Sequence, residues 1–344
     1  MSTDPLPAAD RADDDLLDEP GAELEVRPFT VGADLHGGRL DRALAALVPE
    51  FSRSYLQQLI EAGAVTVQGR AVAKASHKVH AGDAGQVELR PTPQSQAFLP
   101  EDMPLAVVHE DAHLLVIDKP PGLVVHPAPG NWSGTLLNAL LARDPQARTL
   151  PRAGIVHRLD KDTSGLMVVA RTRQAMDRLV AMIAAREVSR QYLALAHRSW
   201  VGPSQRRVDA AIGRDPRNRL RMAVVDLARQ PGKTAATVFD LEQQAAEGCA
   251  LRCTLETGRT HQIRVHLAHV GHPIVADALY GGAPAGRLGR QALHAFRLAF
   301  PHPVTGVPLD FHAPLPPDLQ QAWAAWGLRY NQPGWLASQP ATAA

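Results

Sequence analysis

Hydrophobic and polar positions along this chain follow two different periods, and the changes between them mark its parts. Between residues 38 and 90 the pattern starts helical. Leu40, Ala43, Leu44 and Leu47 share one face of a segment over 39–47, the spacing of an amphipathic helix. Ser52 can cap a second helix over 53–62, which Gly63 ends. The period then falls to two. Val65-Thr66-Val67 reads as a strand, turns at Gln68-Gly69 and returns through Ala71-Val72, and Val87-Glu88-Leu89 closes the unit. Pro91-Thr92-Pro93-Gln94-Ser95-Gln96 breaks both periods, so a linker is expected over 91–104.

From 105 to about 330 strands and helices alternate irregularly. Strands are predicted over 114–118, 167–170, 192–196, 234–239 and 250–256. Helices are predicted over 134–141, 174–185 and 260–270, the last stopped by Gly271 and Pro273. Ile263, Leu267 and Val270 give that last helix an apolar face, with Arg264 at its rim. Many strands with a few packed helices make an α+β chain: a small N-terminal α/β unit, then a larger domain with a mixed, mainly antiparallel sheet.

Composition narrows the class. The chain has 344 residues, 45% hydrophobic and 21% charged, enough for two domains with a sizeable core. No apolar run approaches a membrane span, and the acidic start lacks the pattern of a signal peptide, so a cytoplasmic protein is expected. Cys249 and Cys253 lie four apart on one predicted strand, sharing a face but too distant for a disulfide; two reduced core thiols are expected. The net charge of +1 conceals an asymmetry. Residues 1–25 hold nine acids and one base, net −8, and the rest holds 35 bases against 26 acids, net +9. A disordered acidic tail over 1–25 and a basic body that suits a nucleic-acid partner follow. The tail from 331 reads as frayed.

The candidate chemistry centres on residues 157–170, His-Arg-Leu-Asp-Lys-Asp-Thr-Ser-Gly followed by an apolar run. Asp160 is placed in a tight polar loop at a strand's entrance, with Arg158 as its expected ion-pair partner. A carboxylate held so can act as nucleophile or base at a sugar carbon. His261, His266, His269 and His272 are spaced five, three and three apart without an acidic partner, so no metal site is expected.

The full string resembles the signature of the RluA/RluD-type RNA pseudouridine synthases. So do Lys119-Pro120-Pro121-Gly122 with Leu123-Val124-Val125-His126-Pro127 before it, Ser189-Arg190-Gln191-Tyr192 after it, the stretch Leu255 to His266, then Gly271-His272-Pro273-Ile274 and Asp277-Ala278-Leu279-Tyr280-Gly281. The resemblance covers residues 28 to 320. It implies a pseudouridine synthase domain over 105–330. Asp160 would be catalytic, Arg264 its basic partner, and Tyr192 the ring that stacks on the target base and helps move the C5 proton. Arg158 would fill the place of the flipped base, with His157 assisting. It implies no cofactor, and uridines of 23S ribosomal RNA, in the helix 69 stem-loop, as substrate, free or in a pre-50S particle. The unit over 26–90 resembles an S4 RNA-binding domain, with Arg39, Arg42, Arg53, Arg70, Lys74 and Lys78 as candidate phosphate contacts. A monomer is expected. The same chemistry on another ribosomal or transfer RNA remains open, as does a non-catalytic ribosome assembly factor. Against the latter, a retired enzyme has no need of Asp160, Tyr192 and Arg264 together.

Overall fold

The computed structural model describes residues 25–90, 92, 97–128, 130–218 and 220–329. The chain divides into two compact units, 1–96 and 97–344. The expected tails, apart from Glu25, and residues 91 and 93–96 of the expected linker lie outside the described residues.

The first unit contains β1 (Glu25–Thr30), α1 (Leu40–Leu47), α2 (Arg53–Glu61), β2 (Val65–Val67), β3 (Arg70–Ala71) and β4 (Ala84–Leu89). Its sheet has the order β1-β4-β2-β3, every pair antiparallel. Leu40, Leu44, Leu56, Leu59 and Ile60 form its core with Val65 and Val87. Ser52 caps α2 as predicted, its hydroxyl accepting from Tyr55 N at 3.2 Å. Glu25, placed in the acidic tail by its charge, instead pairs with Leu89 at the start of β1. This strand has no readable period, since only Phe29 is buried and Pro28 lacks a ladder donor. An edge tolerates both.

The second unit begins at Ala97 rather than at Leu105. Asn138 donates to the carbonyls of Ala97 and Leu99 at 3.1 and 2.8 Å, and Glu101 N donates to Asn138 O. Residues 97–101 therefore belong to its wall. It continues with β5 (Ala106–Glu110), β6 (Leu114–Lys119), α3 (Leu136–Arg143), β7 (Ser164–Ala170), α4 (Arg173–Ala184), β8 (Ser189–His197), β9 (Gln205–Asp209), β10 (Ile212–Arg214), β11 (Met222–Val224), β12 (Gly232–Lys233), β13 (Ala236–Gln244), β14 (Gly248–Leu255), α5 (Gln262–His269), β15 (Leu293–Pro301), β16 (Pro308–His312) and α6 (Pro317–Ala325). Nine strands make one sheet, in the order β5-β6-β7-β15-β8-β14-β13-β9 with β16 also on β15. Its pairs are antiparallel except β7 with β15. The mainly antiparallel α+β expectation holds.

The parallel contact sits at the end of the loop that carries Asp160. Gly165 (φ +115°) pairs with Ala295, and a Cβ there would lie 2.2 Å from Ala295 O. Only glycine permits that approach. Cys249 and Cys253 are both buried and free on β14. No helix among the described residues is long and apolar enough to cross a membrane.

Candidate active site

Residues 157–164 leave the sheet as a loop and return as β7, whose seven residues are all buried. Thr163 N donates to Asp160 O at 3.1 Å, which closes the turn. Four neighbours pin it. Lys119, wholly buried, donates to the carbonyls of Pro120, Leu123 and Lys161 at 2.8, 2.9 and 3.0 Å. Burial pushes its ammonium down to about 8. Arg290 donates to Asp162 O at 3.0 Å and Gln291 to Thr163 Oγ1 at 3.2 Å. Ser164 Oγ lies 2.9 Å from His294 Nδ1.

Asp160 meets Arg264 here: Arg264 Nη1 donates to Asp160 Oδ2 at 3.0 Å. Arg264 is not at a helix rim. It is buried, and its Nε and Nη2 grip both oxygens of Asp277 at 2.7 and 2.8 Å. Its guanidinium carbon also lies 5.0 Å from the centre of the Tyr280 ring, within cation–π range. Burial alone would lower its basicity; Asp277 and Asp160 raise it instead. A guanidinium fixed bidentately on one side offers its remaining nitrogen in one direction, and that direction sets Asp160. Arg158, the expected partner of Asp160, is exposed and makes no ion pair with it among the described residues.

The reason α5 was misread lies in its surroundings. Gln262 through Leu267 are all buried, because polar members are matched rather than solvated. Gln262 donates to Ala236 O and Thr237 Oγ1, and His266 bridges Thr237 Oγ1 and Ala210 O. The helix starts at Gln262, with His261 before it in the left-handed region (φ 57°). His261 thereby puts Nε2 3.9 Å from Asp160 Oδ1 while Nδ1 bonds the Tyr280 hydroxyl at 2.8 Å. Three of the four histidines thus serve separate partners, His272 bonding His197 O, and His269 is exposed.

Tyr192 lies on β8, 5% exposed. Burial pushes its phenol up to about 12, so the ring is neutral at physiological pH. His157 is a structural residue in this geometry: its Nε2 accepts from Val168 N at 3.1 Å, and burial pushes it down to about 3. Asp160, Tyr192, Arg264, Arg158 and His157 all line one cavity of about 760 Å³, roomy enough for a nucleotide. In the other unit, Arg39 and Arg53 both hold the wholly buried Asp41, at 3.0 and 2.6 Å, and Gln57 donates to it at 2.6 Å. Arg42, Arg70 and Lys74 are exposed, and Lys78 donates to Gly37 O. The sequence reading gave no role to Asp277, Lys119, Tyr280, Arg190 or Asp41. Asp277 was visible only as a lone acid in a short motif.

The family model of RNA pseudouridylate synthases matches residues 113–269, and that of the S4 domain residues 38–84. A protein of Xanthomonas campestris pv. campestris named ribosomal large subunit pseudouridine synthase D is 48% identical over 316 residues, 88% of this chain and 93% of that one. The chain belongs to the RNA pseudouridylate synthase family. A relative of the same name from Escherichia coli O6:H1 is 44% identical over 306 residues, 84% of this chain and 91% of its own. Among solved structures, human RNA pseudouridylate synthase domain containing 1 superposes with a TM-score of 0.51 at 26% identity, covering 69% of this chain and 90% of that one. The chain is accordingly an RNA pseudouridine synthase, an isomerase, with an N-terminal S4 domain.

Proposed function

We propose that this synthase isomerises uridines of large-subunit ribosomal RNA, in the helix 69 stem-loop, and that it does so as a monomer with Asp160 as the reacting carboxylate. The names of the relatives support the ribosomal target; the motifs quoted above support the stem-loop. The observation that carries the chemistry is the line Asp277–Arg264–Asp160 beside Tyr192 in one cavity. Breaking the bond from uracil N1 to ribose C1′ resembles glycoside cleavage, where a carboxylate attacks the sugar. Asp160 either bonds C1′ or removes a sugar proton. Arg264 holds it in line through a charge-assisted bond. Tyr192 gives the extruded base a neutral face, and exposed Arg158 takes the base's place in the RNA. Arg42, Arg70 and Lys74 bind phosphates in the S4 unit. The reaction is an isomerisation with no net redox change, and carboxylate and guanidinium supply its charges, so full activity in excess EDTA is expected.

Asp160→Asn is nearly isosteric and keeps a hydrogen-bond acceptor for Arg264. It should abolish tritium release from 5-tritiated uridine in transcribed RNA while filter retention shows unchanged RNA affinity. Activity within about tenfold of wild type, roughly 1.4 kcal/mol of barrier, would remove Asp160 from this role. Pseudouridine mapping in large-subunit RNA, with and without the protein, checks the target.

A further inference from the structure

Arg190 is a buried arginine with no hydrogen-bond or ion-pair partner among the described residues. It stands on β8 two residues before Tyr192, so both side chains leave the same face of the sheet. It is 6% exposed and lines the cavity that holds Asp160. Among the described residues its guanidinium makes no hydrogen bond or ion pair, and its Nε is sealed from solvent unsatisfied. The other buried arginines differ: Arg264 grips Asp277, and Arg290 grips Asp318. Beside Arg190 the chain passes with a glycine. A Cβ on Gly258 would lie 2.7 Å from Arg190 Nη1. An unmatched buried cation is costly, and here it faces the one space that a substrate fills.

What fills that space decides the anion. Arg152 and Arg158 also line the cavity but are exposed, where backbone phosphates can reach them. Arg190 is in the wall next to Tyr192, so it meets whatever enters completely, which is the base. We propose that Arg190 is a further catalytic residue, whose guanidinium takes the negative charge that collects on the uracil carbonyl oxygens as the N1–C1′ bond breaks. The inference rests on the placement of Asp160 and Tyr192 in the catalytic site.

The electrons balance by either route. The N1–C1′ pair stays with the base, while an Asp160 oxygen bonds C1′ or Asp160 takes a sugar proton. The base leaves as the same anion, its charge spread over N1, O2 and O4. In the return step C5 supplies the pair for the C5–C1′ bond, and either the C1′–O bond breaks with its pair returning to Asp160 or Asp160 gives its proton back to the sugar. The C5 proton is lost and N1 gains one. A donor fixed in advance where charge develops acts on the transition state rather than on binding.

The test uses the full chain under single-turnover conditions at saturating RNA. Arg190→Gln should slow the reaction at least a hundredfold with RNA affinity within threefold of wild type. Arg190→Lys should recover part of the rate. The decisive readout is a substrate with 5-fluorouridine at the target, followed as conversion of the base by chromatography. Fluorine stabilises the departing anion itself, so the loss caused by Arg190→Gln should shrink at least tenfold. Weakened affinity with a reduced salt slope and an unchanged saturated rate would assign Arg190 to a phosphodiester and overturn the proposal. An equal loss on both substrates would also overturn it, leaving a positioning role. Should Arg190→Gln fail to fold, Gly258→Ala, which displaces the guanidinium, must show the same pattern. An active Asp160→Asn would instead sink the site reading beneath it.

Discussion

At the scale of residues, the site is a line of alternating charges, Asp277, Arg264 and Asp160, of which Asp160 is the most exposed. Asp277 is 2% exposed and Arg264 is 7% exposed, and Asp277 stands outside the lining of the cavity. Their two bonds of 2.7 and 2.8 Å aim the third nitrogen at Asp160. Asp277 is therefore a positioning residue, and its loss should be felt in rate more than in binding. Asp277→Asn removes one of the two acceptor oxygens and leaves an amide facing the guanidinium. The saturated rate should fall by about a hundredfold, roughly 2.7 kcal/mol, with KM for RNA within threefold. Tritium release measures the first and filter retention the second. A variant with wild-type rate would show that Asp160 needs no such aim. The sequence reading found both ends of the Arg264–Asp160 contact through the motifs that contain them. Closeness along the chain favoured Arg158 as the neighbour of Asp160, whereas Arg264, 104 residues away and the partner that the resemblance implied, wins in space. Burial of Arg264 was equally invisible: its helix was read by apolar period, and the polar residues of α5 are buried through specific bonds that no period encodes.

At the scale of elements, burial decides only part of the legibility, since β15, with six of its nine residues buried, has no counterpart among the predicted strands. The helices α1, α2 and α4 and the strand β6 are within one residue of their expected bounds because each buries an apolar face, whereas β7 and β8 each begin three residues before the expected start. The strands β1 and β9 were missed, and each buries a single side chain, Phe29 and Val208 respectively. A one-residue face leaves no alternation to read. The helix pair of the S4 unit hides a further device. Asp41 lies on the buried face of α1, and Arg39, Arg53 and Gln57 converge on it from both helices. Burial by itself would raise its carboxyl; the bonds from Arg39, Arg53 and Gln57 hold it well below the usual carboxylate range. Two half-exposed arginines are thus ordered before RNA arrives, which spares their ordering on binding. Asp41→Ala should lower RNA affinity about tenfold through this lost order and lower the stability of the S4 unit by about 2 kcal/mol. The saturated rate should stay within twofold, since Asp160 is in the other unit. Arg42→Ala, losing one phosphate contact only, should instead reduce the salt slope by about 0.7 to 0.9. Equal affinity for wild type and Asp41→Ala, measured across salt concentrations, would show that these arginines are not held for RNA.

At the scale of the molecule, the two units differ in the buried groups that acid attacks. The synthase unit buries neutral imidazoles next to the loop of Asp160. His294 is 1% exposed, with Nδ1 against Ser164 Oγ at 2.9 Å and Nε2 against Ala313 O at 3.3 Å. One ring nitrogen accepts and the other donates, so the neutral form is the one that fits. Burial pushes His294 down to about 4 and His157 to about 3. Each folded-state value lies below the ordinary one, so the unfolded chain binds protons first as pH falls through 6.5. Stability is then full above about pH 6.5 and is lost progressively toward pH 4. His294 alone should cost about 2 kcal/mol at pH 5. In the S4 unit the group with the largest downward shift is a carboxylate, Asp41, whose contribution is lost only as pH falls below its unfolded value near 3.8. The sequence supplies a reporter that separates the two, since all five tryptophans, Trp132, Trp200, Trp323, Trp326 and Trp335, lie in the second unit. Urea unfolding followed by tryptophan fluorescence should therefore show a midpoint that drops steadily between pH 7 and pH 5. In His294→Asn that drop should be shallower by about 1.4 kcal/mol per pH unit. A midpoint that stays flat over this range would mean that these rings are not held neutral, and the hydrogen-bond assignment that joins His294 to Ser164 at the end of the Asp160 loop would fail with it.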